Sequence, residues 1–169
     1  MRAWRWRADA GQCEIGPADS RDIPGLVALL GELFGQEADF RPDRDKQTRA
    51  LRLILSNPER GRLFVLRDGS QVVGMANALI TVSTAEGGPV VLLEDVIVSE
   101  PYRDSGLGGK LIDHVLEWAE QEGLLRVTLL TDRSNRGALR FYQRQGFRRS
   151  SMVVLRRPLA ADTDVSGGT

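Results

Sequence analysis

VVLLEDVIVSEPYRDSGLGG, residues 90–109, hands a run of β-formers over to an arginine-rimmed, glycine-rich loop that opens an amphipathic helix. Val90 to Leu93 and Val96 to Val98 read as a strand, and Pro101 breaks its ladder. Gly106, Gly108 and Gly109 precede the helical apolar positions Leu111, Ile112, Val115 and Leu116. Small residues at such a junction let an anion approach the backbone N–H groups, which are the unpaired donors of a helix start and carry the positive end of its dipole. A bare turn that tolerates positive φ uses glycine for a similar steric reason, so the loop alone leaves both readings open. Two phosphate loops are excluded by the residues themselves. Gly109-Lys110 is followed by Leu111 rather than Ser or Thr, and Asp104 stands where a Walker loop needs glycine. A dinucleotide fingerprint starts its glycines at the strand end, whereas Ser99 to Ser105 intervene here.

Downstream, a helix is predicted from about Gly106 to Gln121, and Gly123 releases it into a strand over Arg126 to Thr131. A short helical segment follows Asn135 and ends in Phe141-Tyr142 and Gly146-Phe147; Met152 to Arg157 reads as the last strand. Upstream, Cys13 to Gly16 reads as a first strand, and Asp19 or Ser20 caps a helix through Leu33 whose Ile23, Leu26, Val27, Leu30 and Leu33 keep helical spacing. Gly35 ends it. An acidic loop leads to a second helix over about Asp45 to Ser56, stopped by Asn57-Pro58. Leu63 to Leu66 and Gln71 to Val82 read as a hairpin around Asp68-Gly69 with a bulge marked by Gly74, and Glu86-Gly87-Gly88-Pro89 turns the chain into the opening stretch.

With 169 residues and 41% hydrophobic content the chain can bury one core, predicting a single domain over residues 11–158 between mobile tails at 1–10 and 159–169. It carries neither a signal-peptide pattern nor an apolar run of about 18 residues, which points to a cytoplasmic protein without membrane contact. A lone cysteine, Cys13, forms no internal disulfide, and with a single histidine no Cys/His metal cluster is available, so no metal is expected. His114 lies two turns into its helix and reads as a packing or surface residue. Net charge is zero but sorted: Ala8 to Asp45 carries nine acids against Arg21, Arg41 and Arg44, and Arg126 to Arg157 nine arginines against Asp132. Arg136, Arg140 and Arg144 share one helix face. Trp4-Arg5-Trp6-Arg7 and Arg140-Phe141-Tyr142-Gln143-Arg144 match no RNA-binding pattern, and zero net charge is a poor footprint for nucleic acid.

The order of strand, Arg103-Asp104-Ser105-Gly106-Leu107-Gly108, helix, strand, then Asn135-Arg136-Gly137-Ala138-Leu139-Arg140-Phe141-Tyr142 and Gly146-Phe147 resembles the GNAT superfamily of acetyl-CoA-dependent N-acetyltransferases. The likeness is motif-level over roughly residues 90–157 and architectural before that. It implies an α/β fold with a mixed, mostly antiparallel sheet of six to seven strands, a splayed parallel pair and about four flanking helices. It also implies acetyl-CoA as co-substrate. The pantetheine arm would lie along Val96, Ile97 and Val98, and the pyrophosphate on Arg103, Asp104, Ser105, Gly106, Leu107, Gly108 and Gly109, with Lys110 at its edge. Asn135 would bond the pantetheine amide beside Ala138 while also able to cap its helix. Asp104-Ser105 departs from the family's usual glycine followed by a basic or small residue. A carboxylate beside a pyrophosphate costs about 1 kcal/mol or more at surface-like dielectric, so Asp104 is expected to offer its backbone N–H only.

Amide formation needs an unprotonated amine, a polarised carbonyl and a proton for the leaving thiolate. Tyr142 resembles the family's general acid, and as a residue its alternative is a core aromatic. Glu94 and Asp95 are the candidate bases. Strand alternation would send them to opposite faces, with Glu94 beside Val96 and Val98, and the resemblance favours Glu94 acting through water. The N–H of Ile97 or Val98 would polarise the carbonyl. In the family the loop between the first two helices closes over the acceptor; here it carries Glu37, Asp39, Asp43 and Asp45, and with Asp95 these acids suit a cationic amine, although they also serve as helix-capping charges. The expected partners are acetyl-CoA and a small primary amine, polyamine, Lys side chain or peptide N-terminus, with homodimer assembly left open. The alternatives are a non-catalytic acyl-CoA sensor or an acetyltransferase of an amino sugar or antibiotic.

Overall fold

The computed structural model describes residues 12–35, 41–157 and 159. The expected tails therefore fall almost wholly outside the described residues, as do Trp4, Trp6, Glu37 and Asp39. Strand β1 (Cys13–Pro17) is followed by a 3-10 turn at Ser20–Asp22 and by helices α1 (Ile23–Phe34) and α2 (Arg44–Leu55). Then come strands β2 (Gly61–Asp68), β3 (Gln71–Ser83) and β4 (Gly88–Val98), helix α3 (Leu107–Gln121), strand β5 (Val127–Leu129) and helix α4 (Arg136–Arg144). The sheet runs β1-β2-β3-β4-β5, antiparallel until the parallel β4–β5 pair.

Alternation along β2 and β3 separates two cores. Phe64, Ala76, Ala78, Val91 and Leu93 meet Leu111, Ile112, Val115, Trp118 and Ala119 of α3. On the opposite face Leu63, Val65, Met75 and Ile97 meet Leu26, Val27, Leu29 and Leu30 of α1 and Leu51 of α2. Asp22 anchors the start of α1: it is buried and receives Arg67 Nε at 3.1 Å and Nη2 at 2.6 Å, together with the Asp19 amide at 2.7 Å. Asp68 and Gln71 pair across the Gly69-Ser70 turn, where Gly69 takes φ 57°, and the β2–β3 register slips beside Gly74 as expected.

A second slip was not legible. Met75 pairs with Ile97 and Asn77 with Glu94, so Asp95 and Val96 together oppose the single residue Ala76. Asp95 adopts φ 51° at this bulge. The extra residue shifts the phase of β4: Val91 and Leu93 face α3 before it, and Val96 does so after it. A bulge also bends its strand. Pairing with β5 covers only Val91, Leu92 and Leu93, and from Glu94 to Val98 no strand among the described residues pairs with β4 on that side.

Among the described residues the sheet has five strands, slightly fewer than the six to seven expected. Met152 to Arg157 forms no strand, and Met152, Val153, Val154 and Leu155 are exposed. β5 is shorter than expected because Leu130 and Thr131 lie beyond the point where β4 diverges, and so short an edge offers little ladder to a further strand.

Candidate active site

The loop after β4 ends in Gly106, which caps α3 with φ 82° and no capping side chain. A first helical turn has no carbonyl to receive its amides, so those of Leu107, Gly108 and Gly109 remain available at the positive end of the α3 dipole. Lys110 is exposed one residue further on. Gly106 is required by its left-handed backbone, but the next two glycines serve another purpose. A Cβ on Gly108 would make ordinary contact with Phe141 of α4 at 3.5 Å, and one on Gly109 would sit a tight 3.0 Å from Gln145 Nε2 just past α4, so the C-terminal end of α4 lies against the start of α3. Asp104 is exposed and left-handed at φ 59°. Ser105 turns its hydroxyl back to the Tyr102 carbonyl.

Arg103 folds back from this cradle. Its Nε donates to the Val98 carbonyl at 2.7 Å, and its Nη2 pairs with Glu32 of α1 at 3.2 Å. The Ser99 amide bonds Val73 of β3 at 2.8 Å, and directions alternate along a strand. Ile97 therefore turns its amide toward β3, which removes it as the carbonyl-polarising donor, while Val96 and Val98 turn theirs to the open edge. An unpaired strand edge leading into a helix N-terminus fits an extended amide-bearing arm ending in a diphosphate.

Tyr142 packs on the α3 side of the sheet, edge-on to Phe141 at 5.1 Å and to Phe147 at 5.7 Å. Burial pushes its phenol up to about 12, so it holds its proton at neutral pH. Asn135 caps α4 by accepting the Ala138 amide at 3.0 Å, which leaves its own N–H groups as donors. His114 stacks edge-on to Phe64 at 5.4 Å, the packing role expected of it.

Glu94 and Asp95 do not point to opposite faces as simple alternation predicts. Ala76 and Ala78 face α3, so Asn77 between them faces α1 and α2, and its Nδ2 donates to Asp95 Oδ2 at 3.1 Å. Glu94, next after the α3-facing Leu93 and paired with Asn77, lies on the same side as Asn77. Burial raises the Glu94 carboxyl above its ordinary value and the Asp95 charge raises it further, against a lowering from Arg156. Burial raises Asp95 too, opposed by the Asn77 hydrogen bond. Both half-buried acids thus lie on the α1/α2 side of the β4 edge, with Tyr142 on the other.

Of the acidic loop, Asp43 is spent on α2, accepting the amides of Asp45 and Lys46 at 3.1 and 3.0 Å. A hollow of about 430 Å³ between α1 and the β2–β3 turn, bordered by Glu32 and Ser99, contains neither Glu94 nor Tyr142. Glu94, Asp95 and the Val96 to Val98 backbone belong instead to the unpaired stretch of β4. Asn77 was missed in the sequence; a polar residue inside the apolar run Val72 to Ile80 was its only signal.

The sequence profile of the acetyltransferase (GNAT) family matches residues 26–147. The chain belongs to this family. This GNAT protein is 29% identical over 138 residues to an aminoalkylphosphonate N-acetyltransferase of Salmonella typhimurium, covering 82% of this chain and 86% of the relative. It is 33% identical over 145 residues to the aminoglycoside N(6')-acetyltransferase type 1 of Serratia marcescens, covering 82% and 94%. Its fold superposes with a TM-score of 0.71 at 16% identity on an acetyltransferase of Clostridium acetobutylicum solved with acetyl-CoA, covering 86% and 96%. The GNAT chain is accordingly an acyl-CoA-dependent N-acetyltransferase. Among the described residues no helix is long and apolar enough to cross a membrane, and no cluster of His, Cys, Asp and Glu is suited to a metal.

Proposed function

We propose that the protein acetylates the primary amine of a cationic acceptor by direct attack in a ternary complex, with Glu94 as base and Tyr142 as acid. The observation that carries this reading is the division about β4: two carboxylates lie on one side of the sheet and a half-buried, protonated phenol on the other. Acetyl-CoA, when bound, supplies the activated acetyl thioester. The α3 amides and Lys110 would hold its diphosphate, and Val96, Val98 and Asn135 its amide-bearing arm. An ammonium approaching from the α1/α2 side meets a carboxylate whose pKa burial raises above its ordinary value, which can take its proton directly or through water. Tyr142 can deliver a proton to the departing sulfur from the opposite side. The amide of Val98 or Val96 is the donor oriented to polarise the carbonyl.

Burial of negative charge on the acceptor side favours an acceptor without an anionic group near its amine. Small polyamines, Lys side chains, peptide N-termini and polycationic amino sugars meet that condition. The aminoglycoside acceptor of the Serratia relative matches this electrostatics better than the aminoalkylphosphonate of the Salmonella one. The test is thiol release from acetyl-CoA against polyamines, aminoglycosides, aminoalkylphosphonates, amino acids and peptides. Turnover concentrated in polycationic amines is expected; turnover confined to phosphonates would overturn the acceptor class.

A further inference from the structure

Asn77 is 4% exposed in the middle of β3, between Ala76 and Ala78 and opposite Glu94. Its amide is only half satisfied: Nδ2 donates to Asp95 Oδ2 at 3.1 Å, and Oδ1 is buried without a partner. The orientation follows from chemistry, because the flipped amide would set its oxygen against a carboxylate oxygen. A buried, unpaired carbonyl costs stability, and an apolar side chain of similar size would avoid that cost. What the amide provides in return is one N–H directed at Asp95, the residue that the bulge places beside Glu94 in a left-handed conformation.

We infer that Asn77 is a positioning residue that pins Asp95 as the anionic anchor for the charged part of the acceptor, leaving Glu94 free to act as the base. This rests on the acceptor class given under the proposed function. The two carboxylates differ in the way a division of labour requires. Asp95 is held by the hydrogen bond from Asn77, which favours its ionised form, whereas Glu94 has no such donor and feels the charge of Asp95. The groups bearing on the pair are Asn77 from β3 and Arg156 from the C-terminal segment, whose charge acts on Glu94. An acceptor with a second cationic group near its reacting amine would use both acids at once.

The test is a double-mutant cycle of Asn77→Leu and Asp95→Asn, read as steady-state kinetics with a diamine and with the monoamine of equal chain length. Asn77→Leu is expected to raise KM for the diamine about tenfold, with KM for acetyl-CoA unchanged. It should also move the acidic limb of kcat/KM to higher pH, since Asp95 loses the donor that favours its ionised form. In the Asp95→Asn background the leucine substitution should add nothing, and the preference for diamine over monoamine should disappear. Additive effects, or an unmoved diamine KM and acidic limb in Asn77→Leu, would overturn the assignment. Should the leucine variant fail to fold, Asp95→Asn alone decides: an unchanged diamine KM and preference overturns it. Absence of turnover by the wild-type protein with every amine would sink the acceptor class itself, a distinct outcome.

Discussion

Against α3 the sheet presents Phe64, Ala76, Ala78, Val91 and Leu93, a layer with no buried charged side chain among the described residues. Against α1 and α2 it presents Leu63, Val65, Met75 and Ile97, but also the half-satisfied Asn77 and the two raised carboxylates on β4. Both faces exclude water from apolar surface; the α3 side buries the unpartnered indole N–H of Trp118, whereas the other side carries the Asn77 amide and two carboxylates. The contrast sets a layer without charged side chains on the α3 side against the polar groups of the proposed acceptor side. β4 serves both because its bulge changes which residues face which side. Tyr142 is a second polar group on the α3 side, a polar tip carried into it from α4.

The strongest challenge to the contrast is Tyr142→Phe. If the phenol is the acid, kcat should fall by roughly tenfold to ten-thousandfold, with acetyl-CoA affinity little changed by calorimetry. An unchanged kcat would return Tyr142 to the packing layer. Leu111→Ala probes the same layer for stability: urea unfolding should show a loss of about 2–5 kcal/mol, with kcat retained while the variant stays folded. A loss below about 1 kcal/mol would mean that this layer supports the fold only weakly.

On the other face, Glu94→Gln should slow turnover by about tenfold or more and shift the acidic limb of the kcat/KM profile, leaving only the part set by Asp95, because the base must be ionised and its carboxyl is raised. An identical profile would leave Asp95 or a water chain as the base. The smallest effect expected is a gain. Burial lifts Asp95 above its ordinary value, so its contribution to stability is complete below about pH 4 and is lost as pH rises through the elevated pKa. Asp95→Asn should therefore raise Tm at neutral pH while weakening amine binding. A lower Tm would show that the Asn77 bond outweighs the burial penalty.

Much of the scaffold was legible because its signals are local. Helical spacing from Leu26 to Leu33 and from Leu111 to Leu116, the Asp68-Gly69 turn, and the glycine-rich entry to α3 each depend on near neighbours in the chain. The C-terminal strand failed for the opposite reason. Met152 to Leu155 has strand composition, yet a strand exists only where an edge of sufficient length receives it, and β5 offers three residues. Arg103 divides along the same line: its place in the motif was plain, but its attachment to Glu32, 71 residues away in sequence, was not.

By itself the sequence determined the order of elements, the anion-ready start of α3 and the presence of a phenol and an acidic pair, since periodicity, glycine placement and residue chemistry act over a few positions. Only the tertiary structure decided that Glu94 and Asp95 share a side, that Ile97 turns its amide away from the open edge, and that Asn77 holds Asp95. One inserted residue reverses strand alternation, and its location is set by pairing with β3 rather than by any feature of β4 alone.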